Sequence, residues 1–208
     1  MAYTRVKICG ITRPEDARAA ADAGADAIGM VFYPGSARRV TVEGALPIAA
    51  AVGPLVTTVA LFVNPGVELV RDVLARVRPA LLQFHGDEDN AFCAQFGHPF
   101  IKAIRVRPDT DPAAAMAPFD GASGFLFDAW SADAYGGTGK TFDWGKLGGL
   151  GGFPLILAGG LDPGNVGGAV RRVRPYAVDV SGGVESAPGI KDRDSIARFV
   201  AAARAAGA

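Results

Sequence analysis

The chain has 208 residues, half of them hydrophobic, enough to bury one full core as a single domain spanning residues 1–208. Its formal charge is zero with no basic block, which argues against nucleic acid, and its longest apolar stretch, residues 55–63, is too short to cross a bilayer, which argues against a membrane span. Strand-like sequence starting at Val6 leaves no room for a signal peptide, and two cysteines of unlike context, Cys9 and Cys93, make no disulfide framework, so we expect a cytoplasmic protein.

Strand-like runs occur at residues 6–11, 27–33, 55–63, 80–85, 100–106, 125–128, 155–158 and 177–180. Helix-like stretches lie between them. The first carries a capping-box pair, Thr12 and Glu15, with Pro14 in its first turn, and an alanine-rich run that ends at Gly24. Residues 65–78 place Val67, Val70, Leu74 and Val77 on one face. The last stretch spaces Ile196, Phe199, Val200 and Ala203 as a stripe against a sheet. The 28 glycines and 14 prolines fall between the apolar runs as turn punctuation.

Strand and helix patterns alternate throughout, which implies parallel strands joined by crossover helices. Eight units of about 26 residues each suit a small (β/α)8 TIM barrel, an α/β fold whose chemistry sits at the carboxyl ends of its strands. The competing architecture is an open doubly wound sheet, but its G-x-G-x-x-G fingerprint after the first strand is absent. Alternation of side chains along each strand then sorts the faces. Lys7 and Cys9 point inward together, as do Gln83 and His85, Leu126 and Asp128, and Asp179 and Ser181, while their apolar alternates face the helices. On the fifth strand the parity fails, and either Lys102 or Arg105 is inside. Strands one and eight are neighbours in a closed barrel, so Lys7 and Asp179 meet as a buried ion pair. It serves either as a clamp on the closure seam or as a cation that lowers the pKa of Cys9.

Several strand ends carry chemistry. Cys9 lies at a strand end before Gly10, facing the expected pocket, whereas Cys93 sits in a helix-like stretch as a structural residue. Zinc is excluded because His85 and His98 share no ligand spacing with the cysteines. Residues 135–141 (YGGTGKT) resemble a phosphate loop, but Ala134 stands where its first glycine belongs, and a mobile flap after strand six is the better reading. Gly159-Gly160 and Gly182-Gly183 close strands seven and eight, where such barrels often hold a phosphate on backbone N–H groups. Arg38 or Arg39, past strand two, offers a guanidinium to clamp a carboxylate.

With these residues in hand, the chain resembles the phosphoribosylanthranilate isomerase family of tryptophan biosynthesis. The matching segments are VKICGIT from Val6, GADAIGMVFYP from Gly24, QFHG from Gln83, YGGTGKTFDW from Tyr135, LAGGLDPGNV from Leu157 and AVDVSGGVE from Ala177. The resemblance implies a (β/α)8 barrel needing no cofactor, with Cys9 as general base and Asp128 as general acid. Arg38, by its distance from Tyr33-Pro34, matches the anthranilate-binding arginine. His85, Gly159, Gly160, Ser181, Gly182 and Gly183 complete the expected substrate-binding set. The family usually reads serine-serine-glycine at positions 181–183, so one hydroxyl donor to phosphate is lost here.

The implied reaction is an Amadori rearrangement of a small phosphoribosyl substrate by a monomer or homodimer. For it, the site must depress the thiol's pKa and raise the carboxylic acid's. The sister isomerase of histidine biosynthesis uses aspartate where Cys9 stands. A metal-dependent pentose-phosphate epimerase would need more histidines at the rim than His85 alone. A non-catalytic phosphoribosyl-binding protein would have no reason to retain both Cys9 and Asp128.

Overall fold

A computed structural model describes residues 3–129 and 142–207. Eight parallel strands form a closed barrel in chain order: β1 (Arg5–Cys9), β2 (Ala27–Val31), β3 (Thr57–Phe62), β4 (Leu81–Phe84), β5 (Phe100–Val106), β6 (Gly124–Ala129), β7 (Leu155–Leu157) and β8 (Ala177–Val180). Pairing of β1 with β8 closes it. Among the described residues, seven helices surround the strands: α1 (Pro14–Asp22), α2 (Val42–Ala50), α3 (Val67–Arg76), α4 (Asn90–Ala94), α5 (Pro112–Met116), α6 (Val166–Val173) and α7 (Arg193–Gly207). Between β6 and β7, the described residues hold a 3-10 turn, Trp144–Leu147, in place of a helix. After β8 come a second 3-10 turn, Gly182–Val184, and a hairpin of β9 (Glu185–Ala187) and β10 (Ile190–Lys191). No described helix is long and apolar enough to cross a membrane.

Five strands, β1 to β4 and β7, stop earlier than their apolar runs, β5 and β8 match theirs, and β6 runs one residue further at each end. Gly10 turns at φ +72°, which ends β1 at Cys9, and Leu55 stands exposed ahead of β3. Arg78, at φ +54°, lies beyond the end of α3, whose buried face is Val70 and Val73, with Leu74 half-buried against the same core and Val77 buried just past the helix end. The expected capping box does not form. Arg13 is the N-cap of α1 with no side-chain cap, although Pro14 does occupy the first turn. The Thr12 hydroxyl instead donates to the carbonyl of Gly189 in the β9–β10 turn, and Arg13 pairs with Asp16. A tertiary hydrogen bond has displaced a local one.

Two apolar layers follow from the register. Outside, the helices pack on β-strand residues such as Ile8, Ile28, Leu82, Phe127 and Val178, all fully buried. Phe32, Phe62 and Phe84 stack from strand to strand there, with centroids 5.5 and 6.1 Å apart. Inside, Ile101, Ala103, Leu126, Ile156 and Ala177 fill the barrel below its mouth. Register settles the fifth strand: Ile101 pairs with Gln83 and Arg105 with Asp128, so Arg105 has the inward parity. Lys102 is nonetheless buried, on the helix side. Its ammonium donates to Glu88 Oε2 at 2.8 Å and the Gly86 carbonyl at 2.7 Å. Glu88 also accepts from the backbone N–H groups of Asn64 and Gly86, so one carboxylate ties the ends of β3, β4 and β5 together.

Lys7 and Asp179 are register partners across the seam, with Nζ donating to Oδ1 at 2.8 Å. Both side chains are more than nine-tenths buried. Burial alone disfavours the Lys7 ammonium, yet Asp179 and Cys9 outweigh it and hold its pKa above the ordinary value. Removing one partner strands the other charge. Lys7→Met should therefore cost about 3–5 kcal/mol in urea unfolding, and Lys7→Met/Asp179→Leu should regain most of that. A single variant as stable as the parent would show that the pair does not hold the seam.

Candidate active site

A cavity opens at the carboxyl ends of the strands, and all nine residues expected at the site line it: Cys9, Arg38, His85, Asp128, Gly159, Gly160, Ser181, Gly182 and Gly183. The flap expected at residues 135–141 lies outside the described residues. One wall, from β1 to β3, is apolar: Val31, Leu61 and Val63 pack with Cys9 and Tyr33. The opposite wall is the glycine-rich ends of β7 and β8.

Cys9 points into the barrel, away from the helices, because it alternates with Ile8. Gly29, its register partner on β2, makes the room. A Cβ there would meet Cys9 Sγ at 2.8 Å and Lys7 Nζ at 3.2 Å. Burial pushes the Cys9 thiol up, Lys7 pulls it down, Asp179 raises it further, and Lys191 adds to the downward pull. The net direction is up. The expected depression of the thiol is thus corrected: enclosure at the barrel mouth outweighs the neighbouring cations in the free site. Lys7 thus bridges the seam to Asp179 and also offsets part of the thiol's burial.

Asp128 is held from two sides. Its Oδ1 accepts from the Ala129 N–H at 2.8 Å, and His85 Nε2 lies 3.3 Å from its Oδ2, without the alignment of a good hydrogen bond. Gln83, the residue below His85 on the inward face, has its amide nitrogen 3.0 Å from His85 Nδ1. Gly159 leaves space for the carboxylate. It sits at φ +87°, and a Cβ on it would lie 2.6 Å from the Ala129 nitrogen and 3.1 Å from Asp128 Oδ1.

The β7 and β8 ends interlock. A Cβ on Gly183 would meet the Leu161 carbonyl oxygen at 2.0 Å, so only glycine allows these two loops to approach. Asp162 accepts from the N–H groups of Gly164 and Asn165, and the Asn165 amide donates to the Gly160 carbonyl, fixing the loop from within. Gly182 and Gly183 lie in the 3-10 turn at this point, where first-turn N–H groups have no partner within the helix.

Arg38, not Arg39, reaches the cavity. Two residues that sequence reasoning did not assign support it. Glu185 receives Arg38 Nε and Nη2 through two 2.7 Å bonds, and Lys191 Nζ approaches the same carboxylate at 2.8 Å. Burial opposes the ionised Glu185 carboxyl, but Arg38 and Lys191 more than offset it and hold its pKa below the usual range. The signal was present in the sequence. Glu185 and Lys191 flank a Pro188-Gly189 turn, the pattern of a hairpin with opposite charges facing across it.

The sequence matches the family described as N-(5'-phosphoribosyl)anthranilate (PRA) isomerase over residues 6–202. The chain belongs to that family. A PRA isomerase of Neisseria meningitidis serogroup B is 53% identical over 203 residues, covering 98% of each chain. One from Thiobacillus denitrificans is 55% identical over 201 residues, covering 97% of this chain and 98% of its own. The crystal structure of the Thermotoga maritima PRA isomerase superposes with a TM-score of 0.86 at 40% identity, covering 97% of this chain and 99% of that one. A PRA isomerase crystallised with reduced 1-(o-carboxyphenylamino)-1-deoxyribulose 5-phosphate gives 0.83 at 38% identity, with the same coverage. The (β/α)8 architecture of these PRA isomerases is therefore the architecture of this chain.

The two thiols differ enough to be separated by chemistry. Cys93 is fully buried in α4, and burial pushes it up to about 12, whereas Cys9 lines the cavity beside Lys7. Iodoacetamide at pH about 8–9 should label Cys9 well before Cys93, as read by peptide mass spectrometry. Equal labelling of both would contradict the difference in access between a thiol that lines the cavity and one sealed in a helix.

Proposed function

We propose that this cavity isomerises N-(5'-phosphoribosyl)anthranilate to 1-(2-carboxyphenylamino)-1-deoxyribulose 5-phosphate. The observation that carries the reading is a thiol and a carboxylic acid from opposite strands, β1 and β6, facing one cavity between an arginine and a glycine-rich anion cradle. The phosphate lies on the backbone N–H groups near Gly159-Gly160 and Gly182-Gly183. The anthranilate ring lies toward Val31, Leu61 and Val63, with its carboxylate on Arg38. The sugar then spans the space between Cys9 and Asp128.

In the reaction, Asp128 donates its proton to the furanose ring oxygen while the C1–O bond breaks and the nitrogen lone pair forms a Schiff base. The Cys9 thiolate then takes the C2 proton, giving an enolamine that tautomerises to the ketone. No redox partner is consumed, because C1 is reduced as C2 is oxidised. His85, held by Gln83, sits against the acid and is placed to steady its carboxyl group. Since burial holds the Cys9 thiol up, the thiolate is a minority form near neutral pH, and Lys7 and Lys191 determine how scarce it is. A reduced thiol is essential to this scheme, so we place the enzyme in the cytoplasm, acting as a monomer or homodimer.

The pH dependence of kcat/KM tests the two roles. Asp128→Asn should leave a residual rate that climbs through the ionisation of Cys9 with no falling limb, and Cys9→Ala should lose the rising limb with at least a 100-fold drop, on the order expected for a general base. Substantial turnover by Cys9→Ala would remove the thiol from the chemistry. The two ends of the substrate separate by affinity. Arg38→Ala should weaken substrate binding with inorganic phosphate affinity intact. Gly183→Ala should do the reverse to phosphate, because its methyl group pushes the Leu161 carbonyl out of the cradle.

A further inference from the structure

We infer that Glu185 is a positioning residue that sets the specificity of this site for an aromatic carboxylate, by presenting only one edge of the Arg38 guanidinium to the cavity. The inference rests on the reading of Arg38 as the group that meets the substrate carboxylate. Arg38 has five N–H donors in a planar fork. Glu185 takes two of them, Nε–H and one on Nη2, in a side-on pair with both bonds at 2.7 Å. Three remain, two on Nη1 and one on Nη2, and they form the outer fork that matches a second carboxylate bidentately.

The orientation is built rather than incidental. Glu185 is itself nearly inaccessible, with its side chain 6% exposed, while Arg38 retains 17% at the cavity. Lys191, wholly buried, donates to Glu185 Oε1 and to the Ser181 carbonyl at 3.1 Å, so the carboxylate cannot swing away. The β9–β10 hairpin places Glu185 directly opposite Lys191, and the Thr12–Gly189 hydrogen bond docks its turn. On the other side, Gly10 has no Cβ where one would lie 2.6 Å from Arg38 Cδ, so the arginine stem can lie flat across the end of β1.

Charge makes the same point. Arg38, Glu185 and Lys191 together carry one net positive charge, the complement of a single carboxylate. Arg38 alone would be free to rotate its fork. With Glu185 attached, the free edge faces a cavity that Val31, Leu61 and Val63 also line, a setting suited to a carboxylate borne by a flat apolar group. A lysine at position 38 would lose this, since an ammonium has no edge to orient.

Binding of two ligands to the full-length protein tests the inference. One is reduced 1-(o-carboxyphenylamino)-1-deoxyribulose 5-phosphate, and the other is its phenylamino counterpart without the ring carboxylate. Glu185→Gln should weaken the first about tenfold and the second by less than twofold. Glu185→Asp keeps the charge but withdraws it by one methylene, and should show the same carboxylate-dependent loss to a smaller degree. Equal weakening of both ligands, or no loss for the first, would overturn the inference. Arg38→Lys distinguishes the two levels. If it affects both ligands alike, Arg38 does not meet the carboxylate and the underlying reading fails. If it discriminates while the Glu185 variants do not, only the positioning role fails. Should Glu185→Gln strand Lys191 and fail to fold, Glu185→Gln/Lys191→Met removes both charges and gives the same two-ligand readout.

Discussion

The ion pair across the β1–β8 seam is the constraint on which the rest depends. A barrel of parallel strands must join its first strand to its last, and here that junction is marked by two opposite charges at matched register. A one-residue slip would put Lys7 and Cys9 among the helices and Ile8 in the cavity, because side chains alternate at every step. The same pair therefore marks closure and register together, and with them the direction in which the thiol points. Its second consequence is electrical. The ammonium that answers Asp179 also lies beside the sulfur, so fold and reactivity share one cation.

Around that seam the glycines do more than turn the chain. Gly29 and Gly159 each vacate the volume beside a cavity-facing side chain, one for the Cys9 sulfur and one for the Asp128 carboxylate. Gly183 does the same for a backbone carbonyl. These are negative features, places where a methyl group would collide, and they explain how the proposed base and acid fit on strands that look otherwise ordinary. Strands and glycines thus define a site whose shape is set before any ligand arrives, which is what preorganised acid–base chemistry requires.

Much of this was legible in the chain itself, for physical reasons. Alternation along a strand is rigid, so the inward facing of Cys9, His85, Asp128 and Asp179 could be read from parity alone, as could the meeting of Lys7 with Asp179. Local hydrogen bonding was less legible. The Thr12–Glu15 box is a sound local pattern, but the hydroxyl found a better partner 177 residues away. The fifth strand was ambiguous because a lysine can bury its ammonium on the helix side when a carboxylate and a carbonyl wait there, as Glu88 and Gly86 do for Lys102. The thiol's direction of shift was not legible in the sequence, where one neighbouring cation, Lys7, could be weighed but the depth of enclosure could not. Glu185 escaped notice for a related reason: its role exists only through a guanidinium supplied by a loop 147 positions earlier.

The narrow space over Gly29 also bears on why a thiol, rather than a carboxylate, occupies the end of β1. The interior charges at this level already cancel, one ammonium against one carboxylate. A sulfhydryl adds no charge until it gives up its proton to become a thiolate. An aspartate at position 9 would bring a permanent second anion to the same ammonium and compete with Asp179 for it, so changing the base in this barrel would mean redrawing its closure as well.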